Sequence, residues 1–221
     1  MVFPLLHNGP VNYFARLVSM KEIVLEQHDH YTKQTYRNRC RIMGPNGVHT
    51  LSIPVRRIKG RKNRYRDIRI DYDSHWNRIH WKSLEAAYAS SPYFEILADD
   101  LVPFYKDKYP FLFDLNLELL RRILQILQVN LTISCSDAFR EITDGIDPGQ
   151  LFHSKRHARD TDPGFSPVPY HQVFNGKHGF CENLSILDLL FNEGPGALAI
   201  LRRSRTSPGG APNSPKTAVR P

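Results

Sequence analysis

Residues 26–42, EQHDHYTKQTYRNRCRI, concentrate the reactive side chains of this sequence. Lys33, Arg37, Arg39 and Arg41 stand there among Tyr31, Tyr36, His28, His30, Gln34 and Asn38. A solvated surface has no need of two aromatic rings among four cations. Guanidinium and ammonium groups that hold a phosphate or carboxylate, phenols that stack and amides that orient are what recognition of an anionic or sugar-like ligand requires. Read as a strand, the segment places Tyr31, Lys33 and Thr35 on one face and Tyr36, Asn38 and Cys40 on the other. Lys33, Arg37 and Arg39 are the expected anion holders, and Tyr31, Tyr36 and Asn38 the groups that orient the ligand. The competing reading is an exposed strand face with arginine–acid pairs.

His80 is the other candidate. It sits on an apolar stripe (Trp76, Ile79, His80, Ser83, Leu84, Ala87) of a helix predicted over 74–89. A histidine in that position is either a satisfied core residue or an acid–base group. The second role requires the fold to bring it beside Lys33 and Arg39. Other constellations are weaker. His28-Asp29-His30 puts two imidazoles on one strand face without a third ligand at fixed spacing, so no metal site is expected. His153 and His157 lie four apart in a polar stretch that lacks the glutamate of a zincin motif, though Lys155 or Arg156 there suits a phosphate. Asp137 and Arg140 are a candidate ion pair on a turn. Ser134-Cys135-Ser136 has no glycine elbow, and no glycine-rich phosphate loop is present, so no cofactor is assigned.

The net charge of +8 suggests a nucleic-acid binder until it is located. Segment 56–69 has eight basic residues and Asp67, and residues 202–221 have five basic residues and no acid, so the rest of the chain is at −4. Basicity is local. Three scattered cysteines suit a reducing compartment and give no disulfide framework. No apolar run approaches a membrane span, and the first residues lack the features of a signal peptide. A cytoplasmic protein is expected.

The elements that must position these groups follow from periodicity. Val2 to Leu6 reads as a buried strand, Pro10 opens a helix running to about Met20, and Ile23-Val24-Leu25 is a second strand. This compact βαβ opening favours an α/β fold and is compatible with a Rossmann-like half. Pro45-Asn46-Gly47 is a hairpin turn between strands within 36–43 and 48–55. Residues 56–66 are expected to be a basic loop, followed by a third strand around Ile68 to Tyr72. Asp114 caps an amphipathic helix over 115–128, Leu131–Ser134 is a strand, 136–165 is a long loop or insertion, and Asn183 caps a last helix. Residues 1–201 form one domain and 202–221 a disordered tail.

Several segments resemble the WbqC-like protein family. They include Asn12-Tyr13-Phe14, Glu26 to Arg41, Leu51 to Val55, His80-Trp81, Ser91 to Glu95, Pro169 to Phe174 and Asn183 to Asn192. The pattern Tyr31-x-Lys33-x4-Asn38-Arg39 is the most distinctive. The resemblance implies a bacterial cytoplasmic protein, linked in some members to O-antigen-type surface polysaccharide, and supplies no catalytic residues. This chain departs from the family at Leu6 to Pro10, where many members carry an aromatic turn. The expectation is a transferase acting on an activated sugar or acyl group. Its ligand would be anionic or phosphorylated, a nucleotide-sugar being one candidate, with His80 as the acid–base group. The alternative is a non-enzymatic nucleic-acid- or complex-binding protein that uses 56–69.

Overall fold

The computed structural model describes residues 1–56, 63–141, 162 and 164–205. It begins with the βαβ unit: β1 (Val2–Pro4), α1 (Val11–Leu17) and β2 (Glu22–Glu26), the two strands parallel with Phe3 opposite Leu25. The parallel sheet gains its third strand from far along the chain, β7 (Thr132–Cys135), which pairs with β2. The order is therefore β1-β2-β7. Among the described strands it runs in one direction without reversal, so they show no topological switch point of the kind that binds nucleotides in Rossmann proteins.

Between β2 and β7 lies the part that builds the site. β3 (Arg39–Gly44) and β4 (Gly47–Ser52) form the hairpin, with Gly44 opposite Gly47 across Pro45-Asn46. The very short β5 (Val55–Arg56) and β6 (Arg69–Ile70) pair antiparallel. Then come α2 (Trp76–Tyr88), α3 (Phe94–Leu101), α4 (Pro103–Lys106) and α5 (Leu112–Ile126), followed after β7 by α6 (Asn175–His178), α7 (Ile186–Glu193) and α8 (Ala197–Arg203). The aromatic stretch 104–113 contains most of α4 and the start of α5. α5 buries Leu115, Leu119, Leu120, Ile123 and Leu124, as its stripe predicts, and starts three residues earlier than expected with Leu112 also buried. Its N-cap is Phe111, so Asp114 lies inside the first turn.

Asn183 does not cap the last helix. Ser185 does, its Oγ accepting from the Leu187 N–H at 3.3 Å. Asn183, with φ of 57°, turns its Oδ1 onto the Asn12 N–H at 2.9 Å and so caps α1. The Val11 N–H is met by the Leu184 carbonyl at 3.0 Å. The first helix is therefore closed by the last part of the fold.

The aromatic motif around 170 and the α7 segment meet in the core. Asp188 is fully buried and accepts from the Tyr170 hydroxyl (2.6 Å), the Gln172 amide (2.8 Å) and the Tyr88 hydroxyl (2.9 Å). Burial raises its carboxyl pKa, and the three donors act against that rise. No cation is among these partners, so three hydrogen bonds hold a carboxyl that would otherwise be costly to bury.

The expected tail begins too early. Arg202 and Arg203 end α8, Ser204 is buried, and Arg205 pairs with Asp162. Residues 206–221 lie outside the described residues, as do 57–62 of the basic loop and the 142–161 part of the long loop with His153, Lys155, Arg156 and His157.

Candidate functional site

Residues 27–38 are not a strand, and the two-face arrangement does not hold. The backbone finds its partners elsewhere: the Tyr31 N–H bonds the Asn63 carbonyl at 2.9 Å, the Tyr65 N–H the Asp29 carbonyl at 2.8 Å, and the His7 N–H the Tyr36 carbonyl at 2.8 Å. Gln34 is left-handed, with φ of 60°. The result is a folded loop that enters β3 at Arg39.

This loop, the end of β4 and the start of α2 enclose a cleft of about 1020 Å³. Of the expected site residues, Tyr31, Lys33, Asn38, Arg39 and His80 line it together. Tyr36 and Arg37 do not. Tyr36 is buried, and burial raises its phenol pKa despite a hydrogen bond from Arg41. Arg37 donates to the His30 carbonyl at 2.8 Å, pairs with Asp29, and sits 5.3 Å over the Tyr65 ring. It ties the loop to the core, which is the arginine–acid reading of the segment.

Ser52, the last residue of β4, organises the wall. It lies opposite Arg39 in the hairpin. Its carbonyl faces His80 Nε2 at 3.2 Å. The next carbonyl, Ile53, accepts from the Asn38 amide at 2.8 Å. Two successive carbonyls thus orient His80 from α2 and Asn38 from the loop. A carbonyl only accepts, so His80 carries its proton on Nε2 and presents a lone pair at Nδ1. Burial, aided by His7 nearby, lowers its pKa to about 3, which keeps the ring neutral.

Two properties make the cleft a site and not a mere depression. No aspartate or glutamate is among its described lining residues, whereas Lys33 and Arg39 are. Neither cation has a side-chain partner among the described residues. In addition, four buried polar atoms on the lining residues have no hydrogen-bond partner: Asn38 Oδ1, Arg39 Nε, Trp76 Nε1 and His80 Nδ1. Buried polar groups are nearly always paired, and a cluster of unpaired ones needs a reason. The N-terminal end of α2 borders the same space through Ser74 and Trp76, with no acidic residue in its first turn. Its partial positive charge has the same sign as the cations.

Trp76 and Ile79 share the apolar stripe of His80 but differ in burial. Trp76 is buried but contributes an unpaired N–H; its position one turn before His80 was the available signal. Ile79 is 57% exposed and lines the cleft, where no described element covers it.

The remaining candidates have other partners. His28 faces the Ser136 carbonyl at 3.0 Å and Asp29 holds Arg37. Among the described residues, no group of three His, Cys, Asp or Glu side chains could hold a metal. No ion pair links Asp137 to Arg140 there; the Arg140 N–H bonds Glu26 at 2.8 Å instead. Cys135, the cysteine of the Ser-Cys-Ser segment, has its thiol pKa raised by burial, which disfavours the thiolate a nucleophile needs. In the basic segment, Arg56 pairs with Asp71 (3.0 Å) and Asp73 (2.6 Å), and Arg69 lies 5.0 Å over Phe111. No described helix is long and apolar enough to cross a membrane.

The sequence profile of the WbqC-like protein family matches residues 10–159, well over half of the chain and all of the cleft. The uncharacterized protein Rv1507c of Mycobacterium tuberculosis is 29% identical over 218 residues, covering 87% of this chain and 93% of that protein. No solved structure matches.

Proposed function

This chain belongs to the WbqC-like protein family, and on that premise we propose that its cleft binds an anionic, phosphorylated small molecule. There it would serve transfer of an activated sugar or acyl group in the assembly of cell-surface polysaccharide in the bacterial cytoplasm. The link to polysaccharide rests on the family resemblance. The anion rests on the cleft itself, where Lys33 and Arg39 stand without a neutralising carboxylate among the described lining residues. A transferred group leaves its phosphate with the bonding electron pair, and fixed cations stabilise the charge that develops there. His80 is neutral but only weakly basic, so the acid–base role requires the bound ligand to raise its pKa. Tyr31 and Asn38 orient the ligand; Tyr36 and Arg37 shape the loop that carries them.

The test is thermal shift and calorimetry with nucleotide-sugars, acyl phosphates and short RNA, each at low and high salt. A nucleotide-sugar or acyl phosphate is expected to stabilise the protein, and Arg39→Ala to weaken that binding at least tenfold, the loss of a charge-assisted hydrogen bond of roughly 1.5–3 kcal/mol. A salt-sensitive response to RNA alone, unaffected by Arg39→Ala, would overturn the proposal in favour of a nucleic-acid binder acting through 56–69.

A further inference from the structure

We infer, building on the anion-binding reading above, that the ligand carries a secondary amide beside its phosphate, as the 1-phosphate of an N-acetylated amino sugar does, and that the free edge of β4 at Thr50 pairs with that amide. The register of the hairpin decides which backbone groups face outward. The Ile53 N–H bonds the Asn38 carbonyl at 2.8 Å, which makes Asn38 and Ile53 a hydrogen-bonded pair. Bonded and non-bonded pairs alternate along an antiparallel ladder. Arg39–Ser52, Arg41–Thr50 and Met43–Val48 are therefore non-bonded pairs, their N–H and C=O groups turned away from the partner strand. Three contacts agree with this. The Met43 N–H donates to the Tyr88 hydroxyl at 3.3 Å, the Arg41 carbonyl accepts from the Ser185 N–H at 2.8 Å, and the Ser52 carbonyl faces His80 Nε2 at 3.2 Å. Thr50 stands apart. Its outward N–H and C=O have no hydrogen-bond partner among the described residues, and β4 pairs there with β3 alone. Thr50 is exposed and lines the cleft, as does His49 beside it, so this edge is open to a ligand. Proteins blunt exposed edges with lysine, proline or a covering element; Val48-His49-Thr50 has neither lysine nor proline, and all three residues are exposed.

An edge residue that offers one N–H and one C=O is complementary to one secondary amide, which offers one C=O and one N–H. The register also sets that amide beside the anion. Arg41 is opposite Thr50, so Arg39 is the diagonal neighbour of Thr50 on the same face of the hairpin, about 7–8 Å away. A phosphate held by Arg39 and Lys33 and an amide paired with Thr50 therefore fit within one small molecule. In an acetamido sugar 1-phosphate the amide sits on the carbon next to the phosphorylated one. The cleft offers a single such position on β4: the Ser52 carbonyl is met by His80, and Val48 does not line the cleft. A phosphopantetheine arm has two amides in line and reacts at a thioester remote from its phosphate. Here one amide position stands beside the cations that would stabilise a leaving phosphate, which favours the acetamido sugar.

Calorimetry on the full chain at fixed ionic strength compares N-acetylglucosamine 1-phosphate with glucose 1-phosphate, N-acetylgalactosamine 1-phosphate with galactose 1-phosphate, and phosphopantetheine with the amide-free phosphopantoate. The acetamido member of at least one sugar pair is expected to bind about tenfold or more tighter than its hydroxyl counterpart. Thr50→Pro removes the outward N–H without touching a ladder bond, a change that edge strands tolerate, and should reduce that advantage to about threefold or less. Hydrogen exchange at the Thr50 amide gives a second reading on the unmodified protein: the saturating acetamido sugar phosphate should slow it about tenfold or more, and its hydroxyl counterpart should not. Equal binding within both sugar pairs, abolished by Arg39→Ala, overturns this inference and leaves the anion site standing. So does an acetamido advantage that leaves exchange at Thr50 unchanged, or an advantage shown by phosphopantetheine alone. Absence of binding by every phosphate overturns the anion site and this inference with it. The exchange measurement decides the matter even where Thr50→Pro does not fold.

Discussion

Acidification should destabilise this fold through two buried histidines, by an amount that can be worked out. His7 is fully buried and donates from Nδ1 to Asn116 Oδ1 at 3.0 Å; burial lowers its pKa to about 4. His80, with its ring centre 6.2 Å from that of His7, is lowered to about 3. The groups around the pair are Asn8, Asn116, Trp76, Tyr105, His49 and the Ser52 carbonyl, none of them a carboxylate that would welcome a proton. In the unfolded chain both rings take up protons from about pH 6.5 downward, whereas in the fold they stay neutral until near pH 4. The unfolded state therefore binds more protons in this window. Stability is full above about pH 6.5 and falls as the pH drops. Each group contributes about 1.4 kcal/mol per pH unit, so going from about pH 6.5 to pH 5 removes about 2 kcal/mol per histidine and about 4 kcal/mol in all. That is a large part of a typical stability of roughly 5–15 kcal/mol. Urea unfolding at the two pH values reads it directly. With a slope near 3 kcal/mol per molar urea, the midpoint should fall by about 1.3 M. The double variant His7→Asn, His80→Gln keeps both side chains polar and removes the titration, so its midpoint should move by less than about 0.3 M. A wild-type midpoint that does not move, or a double variant that moves as far as wild type, refutes the reasoning. Asp188, whose carboxyl pKa burial raises, acts in the opposite sense and is common to both proteins.

Asp188→Ala should cost about 3–5 kcal/mol and lower Tm by about 10–15 °C, since it strands two tyrosine hydroxyls and the Gln172 amide in the core; a change under about 1 kcal/mol would contradict the buried network. Gly194→Ala should destabilise by more than about 1 kcal/mol in thermal melts, because φ is 49° there and the Tyr93 ring occupies the space a Cβ would need. Asn183→Ala should cost about 1 kcal/mol and speed amide exchange at Asn12, at the start of α1, ahead of exchange in α7; faster exchange in α7 first would return Asn183 to the last helix.

Local signals carried the opening βαβ unit, the hairpin and α5. An apolar run over Val2 to Leu6 with Pro10 opening the next helix, a Pro-Asn-Gly turn and a 3.6-residue stripe each act through residues close in sequence. The loop 27–38 failed for the converse reason. Its hydrogen-bond partners include His7, Ile53, residues 63–66 and Ser136, and no alternation of side chains within the segment reports a distant carbonyl. Arg37 and Arg39 make the same point about the site. They are the same residue type two positions apart, yet one ties Asp29 to the Tyr65 ring and the other faces the cleft. Composition cannot separate them; the point where the loop becomes β3 does. Lys33, Asn38, Arg39 and His80 were all nameable from the sequence, but their meeting depends on Ser52, a residue with no chemical signature of its own, whose backbone carbonyl turns His80 into place.

The capping of α1 by Asn183 also bears on how the chain reaches its fold. The first helical N–H groups, of Val11 and Asn12, wait for Leu184 and Asn183, and the Gly9 carbonyl for the Ile186 N–H at 2.9 Å. On its other side β2 waits for β7, more than a hundred residues downstream of its own start. A chain emerging from the ribosome N-terminus first thus carries an opening unit that cannot complete its backbone hydrogen bonds until nearly all of the fold has been made. Such non-local closure slows folding and exposes intermediates. The two ends of this fold are therefore a single cooperative seam, and fragments ending before Asn183 should be captured by chaperones or proteases before they can hold an open cleft.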